Sequence, residues 1–146
     1  MYSKDQLNEM LRNAIGIAYM EHKDSTDKNG DLYILHPLWV MSNVKTVYQK
    51  IVAVLHDVVE DTRVTLIHLK NLGFPQDIID AINAISRRDY ESYDDYITRV
   101  SENKLATAVK IVDIQHNISP DRVKNLSFEA FQKYSQSLEY LQKCQH

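Results

Sequence analysis

The chain has 146 residues, 44% of them hydrophobic and 25% charged, with a net charge of −3, so residues 1–146 are expected to form one domain, a length that buries about two-thirds of the unfolded surface. The acidic balance argues against extended nucleic-acid binding and against an anionic membrane, yet permits a small anionic substrate held by a few local cations. Only three Gly and three Pro favour helices over a turn-rich β fold, and the lone Cys144 has no partner for an internal disulfide. No apolar run reaches the roughly 18 residues of a membrane span and the N-terminus lacks an apolar signal core, so a cytoplasmic protein is expected.

Residues Ser3 to Glu21 read as an amphipathic helix with Leu7, Met10, Leu11, Ala14, Ile15 and Ala18 at helical spacing, capped by Ser3 or Asp5. The polar run from His22 to Asp31 follows, with Asn29-Gly30 marking a turn that calls for positive φ at Gly30. This run reads either as a solvated loop or as a lip that presents Lys23 and Lys28 to a phosphate. Pro37 suits the first turn of a helix running to about Tyr48, which puts His36 at its start, as a cap or as a ligand, and Trp39 in the core.

Seven of the nine residues from Ile51 to Val59 are aliphatic, so Ile51 to Thr62 reads as one buried helix. It nevertheless carries His56, Asp57, Glu60 and Asp61, and only Lys50 and Arg63 flank it. Buried ionised groups cost several kcal/mol unless paired or bound to metal. A divalent cation is the natural counter-charge.

Further helices are expected from Thr65 to Gly73, with His68 a surface residue by default; from Gln76 to Ile85; and from Tyr93 to Glu102. Between the last two, Arg87-Arg88 reads as a solvated pair or as a phosphate contact. A second buried helix spans Leu105 to Ile118, with Asp113 inside it, Lys110 three residues before and Asn117 four residues after. Asp113 is either ion-paired to Lys110 or a second carboxylate for the metal. Asp121 is placed as the cap of a short turn. The closing helix is expected from Ser127 to Gln142, with Phe128, Phe131, Leu138 and Leu141 on its apolar face. The expected fold is an all-α bundle.

Two imidazoles and two carboxylates, His36, His56, Asp57 and Asp113, balance a divalent charge and leave positions for water and a phosphoryl oxygen. Glu60 and Asp61 stand where they can orient that water or take its proton. Mixed nitrogen and oxygen donors suit Mn²⁺, Fe²⁺ or Zn²⁺. The indicated chemistry is hydrolysis of a phosphate ester or anhydride.

The pattern of His, then His-Asp, then Asp resembles the HD superfamily of metal-dependent phosphohydrolases. YILHP at Tyr33–Pro37, VLHDVVEDT at Val54–Thr62 and KIVDIQHN at Lys110–Asn117 resemble, more narrowly, the hydrolase domain of the RelA/SpoT family and the small alarmone hydrolases. That resemblance implies a compact helical HD domain that removes the 3′-pyrophosphate from (p)ppGpp or a related nucleotide such as ppApp. It implies His36, His56, Asp57 and Asp113 as ligands of Mn²⁺, and Glu60 and Asp61 as the acids that position the attacking water. Lys23, Lys28, Tyr33, Lys110 and Asn117 are the substrate-binding candidates. The family's Arg beside the loop Lys is replaced by Asp27, and Ile114 stands where its DRxHN segment has Arg. Weak discrimination between ppGpp and ppApp is therefore expected. Other readings are an HD phosphatase for another phosphorylated nucleotide or a pyrophosphorylated tRNA end, and a non-catalytic nucleotide-binding module.

Overall fold

The computed structural model describes residues 1–145. They form ten helices: α1 (Lys4–His22), α2 (Leu35–Ser42), α3 (Val47–Leu55), α4 (Val58–Asp61), α5 (Leu66–Asn71), α6 (Gln76–Ile85), α7 (Tyr93–Ser101), α8 (Lys104–Asn117), α9 (Pro120–Val123) and α10 (Phe128–Cys144). Among the described residues there is no strand, only an isolated antiparallel bridge between Thr26 and Leu32. Among the described residues no helix is long and apolar enough to cross a membrane.

Local chemistry sets most boundaries. Ser3, Thr46 and Thr65 each form a capping box, with Gln6, Gln49 and His68 as the reciprocal partners. His68 is thereby a cap residue. Ser92, Asn103 and Ser127 cap α7, α8 and α10 through their side chains. Gly73 takes φ 97° after α5 and Gly30 takes φ 83° in the polar loop, a region only Gly enters without strain.

α3 is the central element. Ile51, Val52, Ala53, Val54 and Leu55 are each 0% exposed. Full burial of an Ile or Leu side chain contributes about 1.5–3 kcal/mol. Ala14 and Ala18 on α1 are also fully buried, their small side chains permitting close approach, while α2, α6 and α8 pack on the remaining sides of α3.

Several expectations are corrected. The helix expected over Ile51–Thr62 is two helices, broken at His56-Asp57. In an unbroken helix adjacent side chains diverge by about 100°; the break lets both face one site. The helix expected to continue from Pro37 to Tyr48 stops at Ser42, because Thr46 caps a new one. Ser119, not Asp121, occupies the N-cap position of α9. Phe128 lies in the first turn of α10, where it is 73% exposed, and Trp39 is 38% exposed rather than in the core.

Candidate metal centre and adjoining cavity

The ends of α2 and α3, the break after α3 and the middle of α8 meet at one point. His36, His56 and Asp57 each offer a donor atom, and these atoms lie within 4.8 Å of one another. Asp113 closes the group: its Oδ1 lies 2.7 Å from His36 Nε2 and 3.1 Å from His56 Nε2. His36, His56 and Asp113 are buried, and the Asp57 side chain is largely so.

The hydrogen bonds around His56 test whether a cation fits here. Its Nδ1 lies 2.5 Å from the Ala53 carbonyl oxygen, which only accepts, so Nδ1 carries the proton. In a neutral imidazole Nε2 is then a lone pair, and it faces Asp57 Oδ2 and Asp113 Oδ1, both at 3.1 Å. Three acceptors converging on one point call for a proton or a metal ion between them. Lys110 Nζ, 2.9 Å from Asp113 Oδ2, neutralises one carboxylate from behind and leaves Oδ1 to the cluster. The pairing of Asp113 with Lys110 is therefore present, and it leaves the second carboxylate oxygen turned to the histidines. The donor set fits a divalent cation.

The electrostatics agree with that balance. Burial pulls the His56 imidazole down, but the charges of Asp57 and Asp113 raise it well above its usual range. Burial would raise Asp57, yet His56 holds it down to about 2, and Lys110 and the two histidines hold Asp113 well below the carboxylate range against its own burial. Tyr33 donates its hydroxyl to Asp57 Oδ2. Burial and the Asp57 charge keep that phenol protonated.

Glu60 and Asp61 sit on the exposed rim, where partial desolvation, with the Asp57 charge added, raises both carboxyls. Glu60 Oε2 also accepts the Arg87 backbone N–H at 3.0 Å. Beside the cluster lies a cavity of about 450 Å³ lined by Thr26, Asp27, Lys28, Asn29, Tyr33, Asn117, Arg122, Asn125, Leu126 and Tyr134. Lys28, Tyr33 and Asn117 therefore share one space. Lys23 is exposed at the end of α1 and does not line it, and the Lys110 ammonium is turned to Asp113.

Three residues near the cluster escaped the sequence reading. His22 is 3% exposed, its ring lies 5.0 Å from that of Tyr33, and its Nε2 is buried without a partner. Its place on the buried face of α1, four residues after Ala18 and eight after Ala14, was a usable signal. His116 Nδ1 lies 2.7 Å from His36 Nδ1, and the Trp39 ring stacks on His116 at 4.3 Å. Burial, then the neighbouring His36 and Arg122, lower His116 to about 4. Arg122 reaches the cavity from α9 and pairs with Asp27 at 3.7 Å. No local pattern announces that contact.

No protein-family model matches the chain. It is 28% identical over 153 residues to the bifunctional (p)ppGpp synthase/hydrolase SpoT of Escherichia coli strain K12, covering 90% of this chain. The same identity and coverage relate it to a guanosine-3′,5′-bis(diphosphate) 3′-pyrophosphohydrolase of Shigella flexneri. The chain spans 22% of the length of these relatives. In fold it matches a solved metazoan orthologue of SpoT that hydrolyses ppGpp, with a TM-score of 0.72 and 18% identity, covering 99% of this chain and 87% of the other. The all-helical architecture around the His56-Asp57 pair is shared with that structure. Across 90% of its length the chain is thus similar in sequence to SpoT, and it shares its fold with the metazoan orthologue.

Proposed function

We propose that this domain is a metal-dependent hydrolase that releases the 3′-pyrophosphate of (p)ppGpp or of a close relative such as ppApp. The observation that carries the reading is the convergence of His36, His56 and Asp57 donors within 4.8 Å, beside Asp113 and a cavity of nucleotide size. The names of the relatives at 28% identity support the same chemistry.

In this reading His36, His56, Asp57 and Asp113 hold the ion, with Mn²⁺ the preferred candidate among nitrogen- and oxygen-binding metals. When bound, the ion supplies charge stabilisation to the phosphoryl group under attack. The protein supplies the rest. His56 is oriented by the Ala53 carbonyl, and His36 by His116, which stays neutral and so can accept a hydrogen bond from His36 Nδ1–H. Tyr33 holds Asp57 through its hydroxyl, which donates to Oδ2.

Glu60 and Asp61 hold the attacking water and take its proton, a task suited to carboxylates raised above their usual range. The water oxygen bonds to the phosphorus attached at the 3′ position while the bond from that phosphorus to the 3′ oxygen breaks. A proton then reaches the departing 3′ oxygen, leaving a nucleoside 3′-hydroxyl and pyrophosphate. Lys28, Tyr33 and Asn117 border the space for the nucleoside, and Lys23 and Lys110 add positive charge from further away.

The test is pyrophosphate release from ppGpp and ppApp with Mn²⁺, resolved by chromatography, on wild type and on Glu60→Gln combined with Asp61→Asn. The double variant keeps side-chain shape and is expected to retain metal while losing roughly 100-fold or more in turnover. Wild-type turnover in that variant would remove the water-positioning role. Absence of release by wild type from either nucleotide would remove the substrate assignment.

A further inference from the structure

Resting on that reading, we infer that His22 is a positioning residue whose Nε2–H holds the Asp61 carboxylate toward the water under activation. His22 Nε2 is a buried side-chain atom with no hydrogen-bond partner, a state it shares among the described residues only with the Tyr93 hydroxyl. The residue is 3% exposed and lies on the stripe of α1 where Ala14 and Ala18 are fully buried. A buried nitrogen without a partner costs stability, and an apolar side chain would occupy the same stripe without that cost. Packing alone therefore does not call for an imidazole at this position.

Position identifies the partner. His22 is the last residue of α1, and α1 packs on α3 and on α4, the helix that carries Glu60 and Asp61. Its ring lies 5.0 Å from that of Tyr33, whose hydroxyl donates to Asp57. It is not one of the residues whose donor atoms lie within 4.8 Å of one another, so it stands beside the metal cluster and outside it. Burial lowers the proton affinity of its imidazole, while the charges of Asp57 and then Asp61 raise it. Asp57 already accepts from Tyr33 and meets His56. On the Asp61 carboxyl only burial and the charges of Asp57, His22 and His56 act, and no hydrogen bond does. A neutral imidazole has one N–H to give, and a carboxylate only accepts. An acid on an exposed rim turns freely, whereas one held by a buried donor presents its other oxygen in one direction.

The experiment measures pyrophosphate release from ppGpp by Mn²⁺-loaded protein, together with bound metal. His22→Leu is expected to lower kcat about tenfold, the scale of one charge-assisted hydrogen bond, with KM and metal content unchanged. His22→Gln, which places an amide N–H near the position of Nε2, should recover most of that loss. His22→Asn, of the same polarity but one methylene shorter, should not, and this contrast holds even if His22→Leu fails to fold. Equal kcat in the Gln and Asn variants, or a loss of metal that parallels the loss of kcat, would overturn the inference. Stability of the loaded protein separates the contact from the activity itself. In the Asp61→Ala background His22 has no acceptor, so His22→Leu should shift Tm upward relative to its effect in wild type, by about 2 °C or more. If it does so while wild type releases no pyrophosphate, the contact stands and the hydrolytic reading falls. If the two Tm shifts are equal, the contact falls whatever the turnover.

Discussion

The two walls of the site are built by opposite means. The metal wall consists of side chains on α2, α3 and α8 that are sunk in the core, with His36, His56 and Asp113 only 3–4% exposed. The loop wall, from His22 to Tyr33, is mostly exposed and holds its shape by polar contacts. Asp27 Oδ1 accepts the N–H groups of Asn29 and Asp31, at 2.8 and 3.0 Å, and Oδ2 meets Arg122. Asn29 ties the loop to α9 through the Asp121 carbonyl at 3.1 Å and to the turn after α9 through the Asn125 side chain at 2.5 Å. Packing fixes a buried geometry within tenths of an ångström, whereas solvated hydrogen bonds each contribute about 0.5–1.5 kcal/mol and exchange readily with water. In the proposed reading, chemistry that depends on distance is assigned to the first wall, and recognition, which tolerates adjustment, to the second.

The largest expected effect breaks the metal wall outright. Asp57→Ala or His56→Ala should lose the ion and, with it, all pyrophosphate release, because the first removes one of the two carboxylates that balance a divalent charge and the second removes one of four donors. Elemental analysis showing equal metal in wild type and Asp57→Ala would refute the assignment. His116→Phe, one step removed from the ion, should weaken metal affinity by about 10-fold or more without abolishing it. Competition with a chelator measures this. Because the ion would join α2, α3 and α8, chelation should also lower Tm.

A smaller effect is expected on the loop wall, and it revises what sequence suggests. From the sequence, replacing Asp27 by Arg is expected to add a cation and favour guanine. In the structure Asp27 is the keystone of the turn, so Asp27→Arg removes two backbone caps and turns the Arg122 pair into a repulsion. KM should rise several-fold for ppGpp and ppApp alike, with kcat little changed. A guanine preference gained at unchanged KM would show that the turn does not depend on Asp27.

The smallest effect distinguishes packing from ion pairing at the segment that carries Arg87. Arg99 donates to Glu91 at 2.7 and 2.8 Å and to the carbonyls of Asn83, Ala84 and Ser86, which ties this segment to α6 and α7. The Arg99 hydrogen bonds lower Glu91 from 4.5 to about 2. A lowered carboxyl stabilises the fold above its unfolded value and loses that contribution as pH falls toward the folded value. The stability difference between wild type and Glu91→Gln should therefore be constant above about pH 5 and shrink between there and pH 2. Denaturant titrations across that range provide the measurement, and a difference that does not change with pH would exclude the ion pair as its source.

The sequence by itself determined the helical class, the cap at Thr65, the starts of the first and last helices near Ser3 and Ser127, the glycine turns at Gly30 and Gly73, and the residues that form the His/Asp cluster. Each of these is written in contacts a few residues apart, or in the cost of placing charge among aliphatic neighbours. Tertiary structure alone decided the break at His56-Asp57, which exists because two adjacent side chains must face one point. It also decided the stacking of Trp39 on His116, the pairing of Asp27 with Arg122, and the separate contacts of Arg87 and Lys133 with the Tyr93 ring. His116, Arg122, Arg87 and Lys133 are polar residues with no periodic signature of their own. Their roles arise where separate helices come together, and no local pattern in the chain encodes which surface they will face.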